Sequence, residues 1–301
     1  MSGAWRALVV VWLMLWAGLA TAASPLFLWE LRDGAGGLRA WLYGTIHVCD
    51  AACFPLPAPV QGALAQADSL ALELDLEDPA VMRRLGEAAV LPAGTQLDTR
   101  LPPALRPRLV LASTRMGLPS EAVQRLQPWM VSTLLTVRVA EMVGFRTEQG
   151  VDLWLSRQAR ERGKPLWALE TVERQIEAMA GGGDAAQLAS LTEVIELIES
   201  GEARAYFQRM LDAWRGGDVA GLDVLLREEL SSPAMAPLFE EMLDRRNREM
   251  ADTLLSRLAA GGRPFVAVGA GHFGGPAGLL AELTRRGYTL KQVEAPAASA
   301  D

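Results

Sequence analysis

The stretch RPFVAVGAGHFGG, residues 263–275, decides how the rest of the chain is interpreted. FVAVGA, residues 265–270, is a short run of apolar residues that includes β-branched and aromatic side chains, which is typical of a buried strand. A glycine-rich turn follows, and GPAGLLAELTRRGY, residues 275–288, has the pattern of a helix that ends at Gly287. A strand, a tight turn and a helix in this order predict a sheet with helices packed against it.

Other strands are predicted on both sides of this unit. Two apolar runs within residues 25–48 flank the turn RDGAGG and predict a β-hairpin. Further strands are predicted at SLALELDL, PLWALE and TLKQV, which are residues 69–76, 165–170 and 289–293.

The middle of the chain has a different pattern. Residues 79–162 and 185–260 show an apolar period near 3.6 and are predicted to be mainly helical, with the loop GGGDAA, 181–186, before the second stretch. Thr171 is predicted to cap a helix after the strand at 165–170. The expected fold class is α/β, more closely α+β, with a mixed central sheet packed by helices and a helical insertion in the middle of the chain.

Composition limits the class of protein. The chain has 301 residues, 50% hydrophobic and 22% charged, which is an ordinary balance for a globular protein. Its net charge of −7 disfavours binding to nucleic acid, which requires a basic surface. We expect a single domain over residues 24–301.

The first residues, MSGAWRALVVVWLMLWAGLATAASP, have the organisation of a secretory signal peptide. Arg6 supplies a positive start, an apolar run follows, and small residues predict cleavage near Ala22 or Ala23. The alternative is an uncleaved anchor, but the run is short for a span of about 20 residues. Residues 1–23 are therefore predicted to be a signal peptide, and the mature protein periplasmic or secreted with no stable membrane span.

The only cysteines, Cys49 and Cys53, lie four residues apart in HVCDAAC. In an oxidising compartment such a pair is expected to form a disulfide that closes a small loop. Metal binding is the alternative, although two thiols and one histidine form an incomplete zinc site.

Both histidines of the chain follow a glycine at the same distance, in GTIH, residues 44–47, and GAGH, residues 269–272. Glycine lets the backbone turn sharply and approach a ligand closely, and exposed N–H groups in such a turn can bind an anion or an oxyanion. We therefore predict that Gly44 and Gly269 contribute to substrate binding. The alternative is a turn that only leaves a crowded strand, with the imidazole bonded to backbone.

Four ionisable residues, His47, Glu73, Glu170 and His272, lie at or just beyond the carboxyl ends of predicted strands. Ligands of open α/β sheets bind at this edge. Two neutral imidazoles with a carboxylate predict a divalent metal site with His47, Glu73 and His272 as ligands and Zn, Mn or Co as the ion. Glu73 and Glu170 are candidate catalytic carboxylates, the latter as a general base or as support for the site. The alternatives are a solvated acidic strand end for Glu73 and a capping or salt-bridge role for Glu170.

Five segments of the chain together resemble the TraB/GumN family, which includes the Tiki proteins and is related to the haem-binding ChaN and the erythromycin esterase folds. The resemblance runs from about residue 28 to 293, and the paired Gly-x-x-His motifs are its signature. The segments are LYGTIHV, PLPAPVQGALAQADSLALELDL, GVDLWLSRQARERGKPLWALETVERQ, RRNREMADTL and FVAVGAGHFGGPAGLLAELTRRGYTLKQV.

This resemblance implies an α/β core with a metal-dependent hydrolase site, since Tiki members are regarded as metalloproteases that use manganese or cobalt-like ions. His47, His272 and Glu73 match the histidines and the strand carboxylate of the family, and Glu170 matches the acidic residue of its LE-T segment. Further matches are Asp152, Pro128-Trp129 and Arg246-Asn247. Of these, Arg246 and Asn247 are predicted to bind substrate, with a solvated helix face as the alternative.

The sequence therefore predicts a metal-dependent hydrolase of the cell envelope, with a peptidase-like activity on a peptide or small-molecule substrate. One alternative is a non-catalytic envelope protein that binds a peptide, a metal or haem through the same histidines. Another is a structural envelope protein whose histidines only pack. The sequence does not fix the oligomeric state.

Overall fold

The computed structural model describes residues 24–227 and 232–296. The predicted signal peptide, residues 1–23, lies outside these ranges. Within them, no helix combines the length and the apolar character needed to cross a bilayer.

The centre of the structure is a six-stranded mixed sheet, as predicted. The strands lie in the order β4-β3-β5-β2-β1-β6. Parallel pairing joins β4, β3, β5 and β2, whereas β1 pairs antiparallel with both β2 and β6. The strands are β1 (Ser24–Arg32), β2 (Leu38–Thr45), β3 (Leu70–Leu72), β4 (Leu166–Ala168), β5 (Phe265–Gly269) and β6 (Thr289–Ala295).

The predicted hairpin is formed by β1 and β2. The Asp33 carboxylate accepts hydrogen bonds from the N–H groups of Ala35 and Gly37, and Gly36 adopts a φ of 82°, which glycine tolerates and other residues rarely do. The hairpin places β2 beside β5, so the two strands that precede the histidines are neighbours.

Helices connect the parallel strands and cover the sheet. One continuous core of buried apolar side chains includes residues of the strands and of most helices. A π-helical segment, Glu240–Arg245, leads directly into α12. The helices of the described residues are α1 (Ala58–Gln66), α2 (Pro79–Ala88), α3 (Leu105–Arg115), α4 (Ser120–Val123), α5 (Pro128–Met142), α6 (Val151–Glu161), α7 (Val172–Met179), α8 (Gly183–Ser200), α9 (Ala203–Arg215), α10 (Val219–Arg227), α11 (Ala236–Phe239), α12 (Arg246–Ala259) and α13 (Leu279–Arg285).

Several predicted boundaries differ from the structure: the strand expected at 165–170 is confirmed for Leu166–Ala168, and the helix expected within 275–288 is Leu279–Arg285. The loop expected at 181–186 ends early, because α8 begins at Gly183. Gly182 and Gly183 adopt φ values of 74° and 79°, and Asp184 lies in the first turn, where the helix dipole favours a carboxylate. The strand expected at 69–76 is confirmed only for Leu70–Leu72, since the chain leaves the sheet where Glu73 turns towards β5.

The loop after β2 is closed by a disulfide between Cys49 and Cys53, whose Cα atoms are 6.3 Å apart. Cys49 also exchanges two backbone hydrogen bonds with Arg146, of 3.1 and 2.7 Å, just before α6. The loop that carries His47 is therefore attached at its far end to the segment that leads into α6.

Candidate functional site

The four parallel strands bring the predicted ionisable residues to one edge of the sheet. β2, β3, β4 and β5 end at Thr45, Leu72, Ala168 and Gly269, and their neighbours pair in register up to those ends. His47, Glu73, Glu170 and His272 follow these ends by one to three residues. The carboxyl edge of the sheet thus gathers all four residues that the sequence analysis selected.

His47 lies on the open side of this edge, with 65% of its side chain exposed. Its loop is held where the N–H of Val151 donates to the carbonyl of Ile46 at 2.9 Å. The imidazole Nδ1 lies 3.1 Å from Oδ2 of Asp152, in the first turn of α6. The Asp152 carboxylate raises the pKa of His47 to about 9. Nδ1–H donates to this carboxylate both in the imidazolium and in the neutral ring, because a carboxylate can only accept. Nε2 is the nitrogen left to face a ligand.

His272 is buried, in a short 3₁₀ turn directly after β5. Its Nδ1 lies 2.7 Å from Oδ1 of Asn247. The Asn247 amide nitrogen donates to the carbonyl of Ala277 at 2.9 Å, so the amide oxygen faces the ring and must accept from Nδ1–H. Burial lowers the pKa of His272 to about 4. At neutral pH this ring is therefore a neutral imidazole with a free lone pair on Nε2, which lies 3.6 Å from Oε2 of Glu73.

Glu73 is held on both carboxylate oxygens. Oε1 accepts from the N–H of Gly269 at 2.6 Å, and Oε2 lies 2.5 Å from a guanidinium nitrogen of Arg246. Burial alone would raise the pKa of Glu73, but the nearby His272, Arg246 and His47 outweigh it and lower this pKa to about 2. The carboxylate is consequently ionised at neutral pH.

Arg246 and Glu170 form the layer beneath these groups. Arg246, the first residue of α12, is buried and donates from Nε to Oε2 of Glu170 at 2.9 Å and from Nη1 to the carbonyl of Met242 at 2.9 Å. The Glu170 side chain is only 3% exposed, and its burial raises its pKa. Arg246 therefore bridges two carboxylates from neighbouring strands, and neither it nor Asn247 lies on a solvated helix face.

Gly269 lies where the functional groups converge. A Cβ atom on this residue would lie 3.0 Å from Oε1 of Glu73, 3.6 Å from Nε2 of His47 and 3.7 Å from Cδ2 of His272. Only a residue without a side chain leaves this space free. The space above Gly269 is called the Gly269 cradle below.

Gly44 has different surroundings. A Cβ atom there would lie 2.2 Å from Cδ1 of Phe27, and its carbonyl accepts from Nε1 of Trp214 at 2.7 Å. These contacts give Gly44 a packing role beneath the edge. Its contact with substrate stays a prediction, as does that of Gly269.

The donor set fits a divalent metal in its chemistry. Both imidazoles adjoin the Gly269 cradle, His47 through Nε2 and His272 through its Cδ2 edge, and each is fixed at Nδ1 by an oxygen acceptor. The ionised Glu73 carboxylate adjoins the same space and lies 3.6 Å from Nε2 of His272. The ligand atoms of His47, Glu73 and His272 are farther apart than those of a closed coordination sphere. In the part of the chain that the structure describes, only Cys49, Asp50 and Cys53 have ligand atoms all within 4.8 Å of one another, and both of those thiols are used by the disulfide.

Asp152 is a site residue to which the sequence analysis assigned no role. It lies in the first turn of α6, which begins at Val151. Its pairing with His47 joins residues 105 positions apart, so no local pattern indicates it. The one feature of the sequence that could have drawn attention to Asp152 is its position as an acidic residue directly after the helix start at Gly150–Val151.

Comparisons with known proteins agree on one family. A sequence model described as the TraB/PrgY/gumN family matches residues 27–292. An uncharacterised protein of Escherichia coli, YbaP, is 29% identical over 245 residues, which cover 81% of this chain and 87% of YbaP. Two zebrafish proteins named metalloprotease TIKI2 and TIKI1 are 25% and 24% identical over 88% and 89% of this chain. The matched regions span 60% and 63% of those longer relatives. No solved structure matches.

Proposed function

The chain belongs to the TraB/PrgY/gumN family, and we propose that it is a metal-dependent hydrolase of the cell envelope with peptidase-like activity. One observation carries the proposal. Nε2 of His47, the ring edge of His272 and Oε1 of Glu73 adjoin the Gly269 cradle, and Nδ1 of each imidazole is fixed by Asp152 or Asn247. The relatives named metalloprotease support the same class of chemistry.

His47, Glu73 and His272 would hold the ion, for which Mn, Co and Zn are the candidates. A divalent ion in this position polarises a carbonyl and lowers the pKa of water, which supplies a nucleophile at neutral pH. His272 is already neutral in the buried site, whereas His47 must release a proton from Nε2 before that atom can act as a ligand.

Asp152 and Asn247 act through the histidines. Each accepts a hydrogen bond from Nδ1–H and so fixes the ring orientation, which leaves Nε2 of His47 facing the cradle and Nε2 of His272 facing Glu73. Asp152 adds a negative charge beside His47, and Asn247 provides the same geometry beside His272 without charge. We therefore propose that Asn247 positions His272 rather than binding substrate.

Arg246 and Glu170 act through Glu73. Arg246 donates to both buried carboxylates and orients Oε2 of Glu73, while Glu170 accepts from Nε and Nη2 of the same guanidinium. We assign Glu170 a positioning role rather than that of a general base, because both of its oxygens are occupied by Arg246. Substrate reaches the site from the side of His47, the only one of the four edge residues with an exposed side chain.

A location in the envelope fits the disulfide after His47, because such bonds persist in oxidising compartments. The mature protein is proposed to be periplasmic or secreted and to act on a peptide or on another small substrate with a hydrolysable carbonyl.

The second candidate function is binding without hydrolysis. It is favoured by one observation: the ligand atoms of His47, Glu73 and His272 are spread beyond 4.8 Å, and Arg246 already occupies Glu73. The same histidines would then bind a peptide, a metal or haem. A Soret band after reconstitution with haem distinguishes the haem-binding form of this alternative.

The test combines metal binding with peptide cleavage by the purified protein. The proposal expects the melting temperature to rise with Mn²⁺, Co²⁺ or Zn²⁺, because a ligand of the native state stabilises it. His47→Ala and His272→Ala should each abolish cleavage and this rise, whereas Arg125→Ala, which removes an exposed ion pair with Glu121, should change neither. Cleavage retained by either histidine variant contradicts the proposal.

A further inference from the structure

Two buried polar atoms near the sheet edge have no hydrogen-bond partner among the described residues, Oγ1 of Thr45 and Oδ1 of Asp152, and the Asp152 carboxylate already bonds His47 through its other oxygen. Thr45 is 2% exposed. A buried hydroxyl without a partner is unfavourable, because it has lost its hydrogen bonds to water and gained none in the protein. Such a group calls for a physical reason, and a bound water or another small molecule is a common one.

The position of Thr45 in the sheet indicates where a small molecule bound to its hydroxyl would lie. Thr45 is the last residue of β2 and pairs in register with Gly269, the last residue of β5. Side chains of paired residues on neighbouring parallel strands lie on the same face, and such strands are about 4.8 Å apart. A Cβ atom on Gly269 would point into the cradle. The Thr45 side chain, on the same face of the sheet, therefore lies beside the space that His47, Glu73 and His272 surround.

Three other buried hydroxyls without a partner in the described residues belong to residues outside the sheet, Ser113, Ser132 and Ser232. Ser113 and Ser132 lie inside α3 and α5. A helical serine can rotate to bond the carbonyl one turn earlier. Thr45 ends a strand whose backbone groups pair with β5, and it has no such local acceptor.

We propose that the Thr45 hydroxyl holds a water molecule in the Gly269 cradle, and that this water is the nucleophile of the proposed hydrolysis. The inference deepens the proposed function and rests on it for the second part. A single hydroxyl can donate one hydrogen bond and accept two, so it can fix both the place and the orientation of a water beside Glu73. The water would be positioned before substrate arrives, which lowers the ordering required in the reaction.

The test uses three variants of the full chain. Thr45→Val removes the hydroxyl and keeps the branched shape, Thr45→Ser keeps the hydroxyl, and Ser132→Ala removes a partnerless buried hydroxyl far from the edge. Crystal structures of the metal-free proteins should show an ordered water within hydrogen-bond range of Oγ at residue 45 in the wild type, in Thr45→Ser and in Ser132→Ala. This water should be missing in Thr45→Val, while the melting temperature without metal shows that the variant folds.

Kinetics with a peptide substrate give the second measurement. Thr45→Val should lower kcat by about tenfold or more with little change in KM, and Thr45→Ser should stay within a few-fold of the wild type. A water kept in place in Thr45→Val, or a wild-type hydroxyl that bonds a protein atom instead, overturns the proposal. If the wild type cleaves no peptide, the proposed function has failed, and the water positions still decide the role of Thr45.

Discussion

Oδ1 of Asn247 lies 2.7 Å from Nδ1 of His272, and Oδ2 of Asp152 lies 3.1 Å from Nδ1 of His47. The two histidines of the chain are thus oriented in the same way by side chains of different charge. The neutral partner goes with the buried ring and the charged partner with the exposed one. A second carboxylate, bonded to Nδ1 of the buried ring in addition to Glu73 near Nε2, would favour imidazolium and remove the lone pair on Nε2, so a neutral partner suits His272.

Substitution of Asp152 tests this orienting role. Asp152→Ala removes the acceptor for Nδ1–H, and we expect the affinity for Mn²⁺ to fall by about 10- to 100-fold, as for other partners of metal-binding histidines. Asp152→Asn keeps an oxygen acceptor and should lose less. Calorimetric titration measures both affinities. Equal losses in the two variants would show that the charge of Asp152, and not its hydrogen bond, is what matters.

Glu170 and Glu73 differ in role although both follow strand ends. Glu170→Gln leaves an acceptor for Arg246 and should reduce kcat by less than about tenfold, because a residue that acts through Arg246 is only weakened. Glu73→Gln should abolish cleavage. A general base normally contributes about 10²- to 10⁴-fold, so a loss of that size in Glu170→Gln would restore the base assignment. Steady-state kinetics on one peptide substrate compare the variants.

Arg246 should contribute strongly to stability. Its replacement by Met leaves two buried carboxylates without a cation, which in other proteins costs about 3–5 kcal/mol. The adjacent Arg245, 52% exposed and paired with Glu241, is the matched control. Arg245→Met should cost no more than about 1 kcal/mol, as exposed pairs do. Urea unfolding of the metal-free proteins measures the difference, and similar losses in both variants would contradict a buried bridge.

The sequence indicated which ionisable residues reach the sheet edge, but it did not indicate which side chains contact them there. Apolar runs that end near His47, Glu170 and His272 indicate the edge, whereas Glu73 was expected within a strand extending to residue 76 that in fact ends at Leu72. Thr171 was also predicted as a helix cap, and its side chain accepts from the N–H of Arg174.

The partners of these residues could not be predicted in the same way. Arg246 and Glu73 are 173 residues apart, and Asn247 and His272 are 25 apart on different elements. Their contacts depend on which helix passes beneath the edge and on how that helix is rotated. A helical period leaves both open, so a solvated face for Arg246 and Asn247 remained an alternative until the packing of α12 was known.

Glu282 gives a prediction for the dependence of stability on pH. It lies in α13 with 6% of its side chain exposed and pairs with Arg285 and Arg286. Burial would raise its pKa, but the hydrogen bonds from Arg286 and Arg285 outweigh it, so this pKa lies below its ordinary value. A carboxyl group with a lowered pKa stabilises the fold above its unfolded pKa of about 4.3, and that contribution is lost as the pH falls through the folded pKa.

Glu282→Gln should therefore unfold more easily than the wild type at pH 7, with a difference that shrinks below about pH 4. Glu121→Gln is the control, since Glu121 is 85% exposed beside Arg125. Chemical unfolding at several pH values provides the comparison. A difference between Glu282→Gln and the wild type that stays constant down to pH 3 would mean that the ionised Glu282 carboxylate is not what stabilises α13.

The two glycines that precede the histidines should respond differently to the same substitution. Gly269 has a φ of −49°, which alanine adopts without strain, and the new Cβ would enter the cradle 3.0 Å from Oε1 of Glu73. Gly269→Ala should therefore fold with nearly unchanged stability but lose metal binding and cleavage. Gly44→Ala places its Cβ 2.2 Å from the ring of Phe27, and overpacking of this kind typically costs about 1–3 kcal/mol. Melting temperatures and Mn²⁺ titrations of both variants separate the effects, and a Gly269→Ala protein that binds Mn²⁺ as the wild type does would place the ion elsewhere.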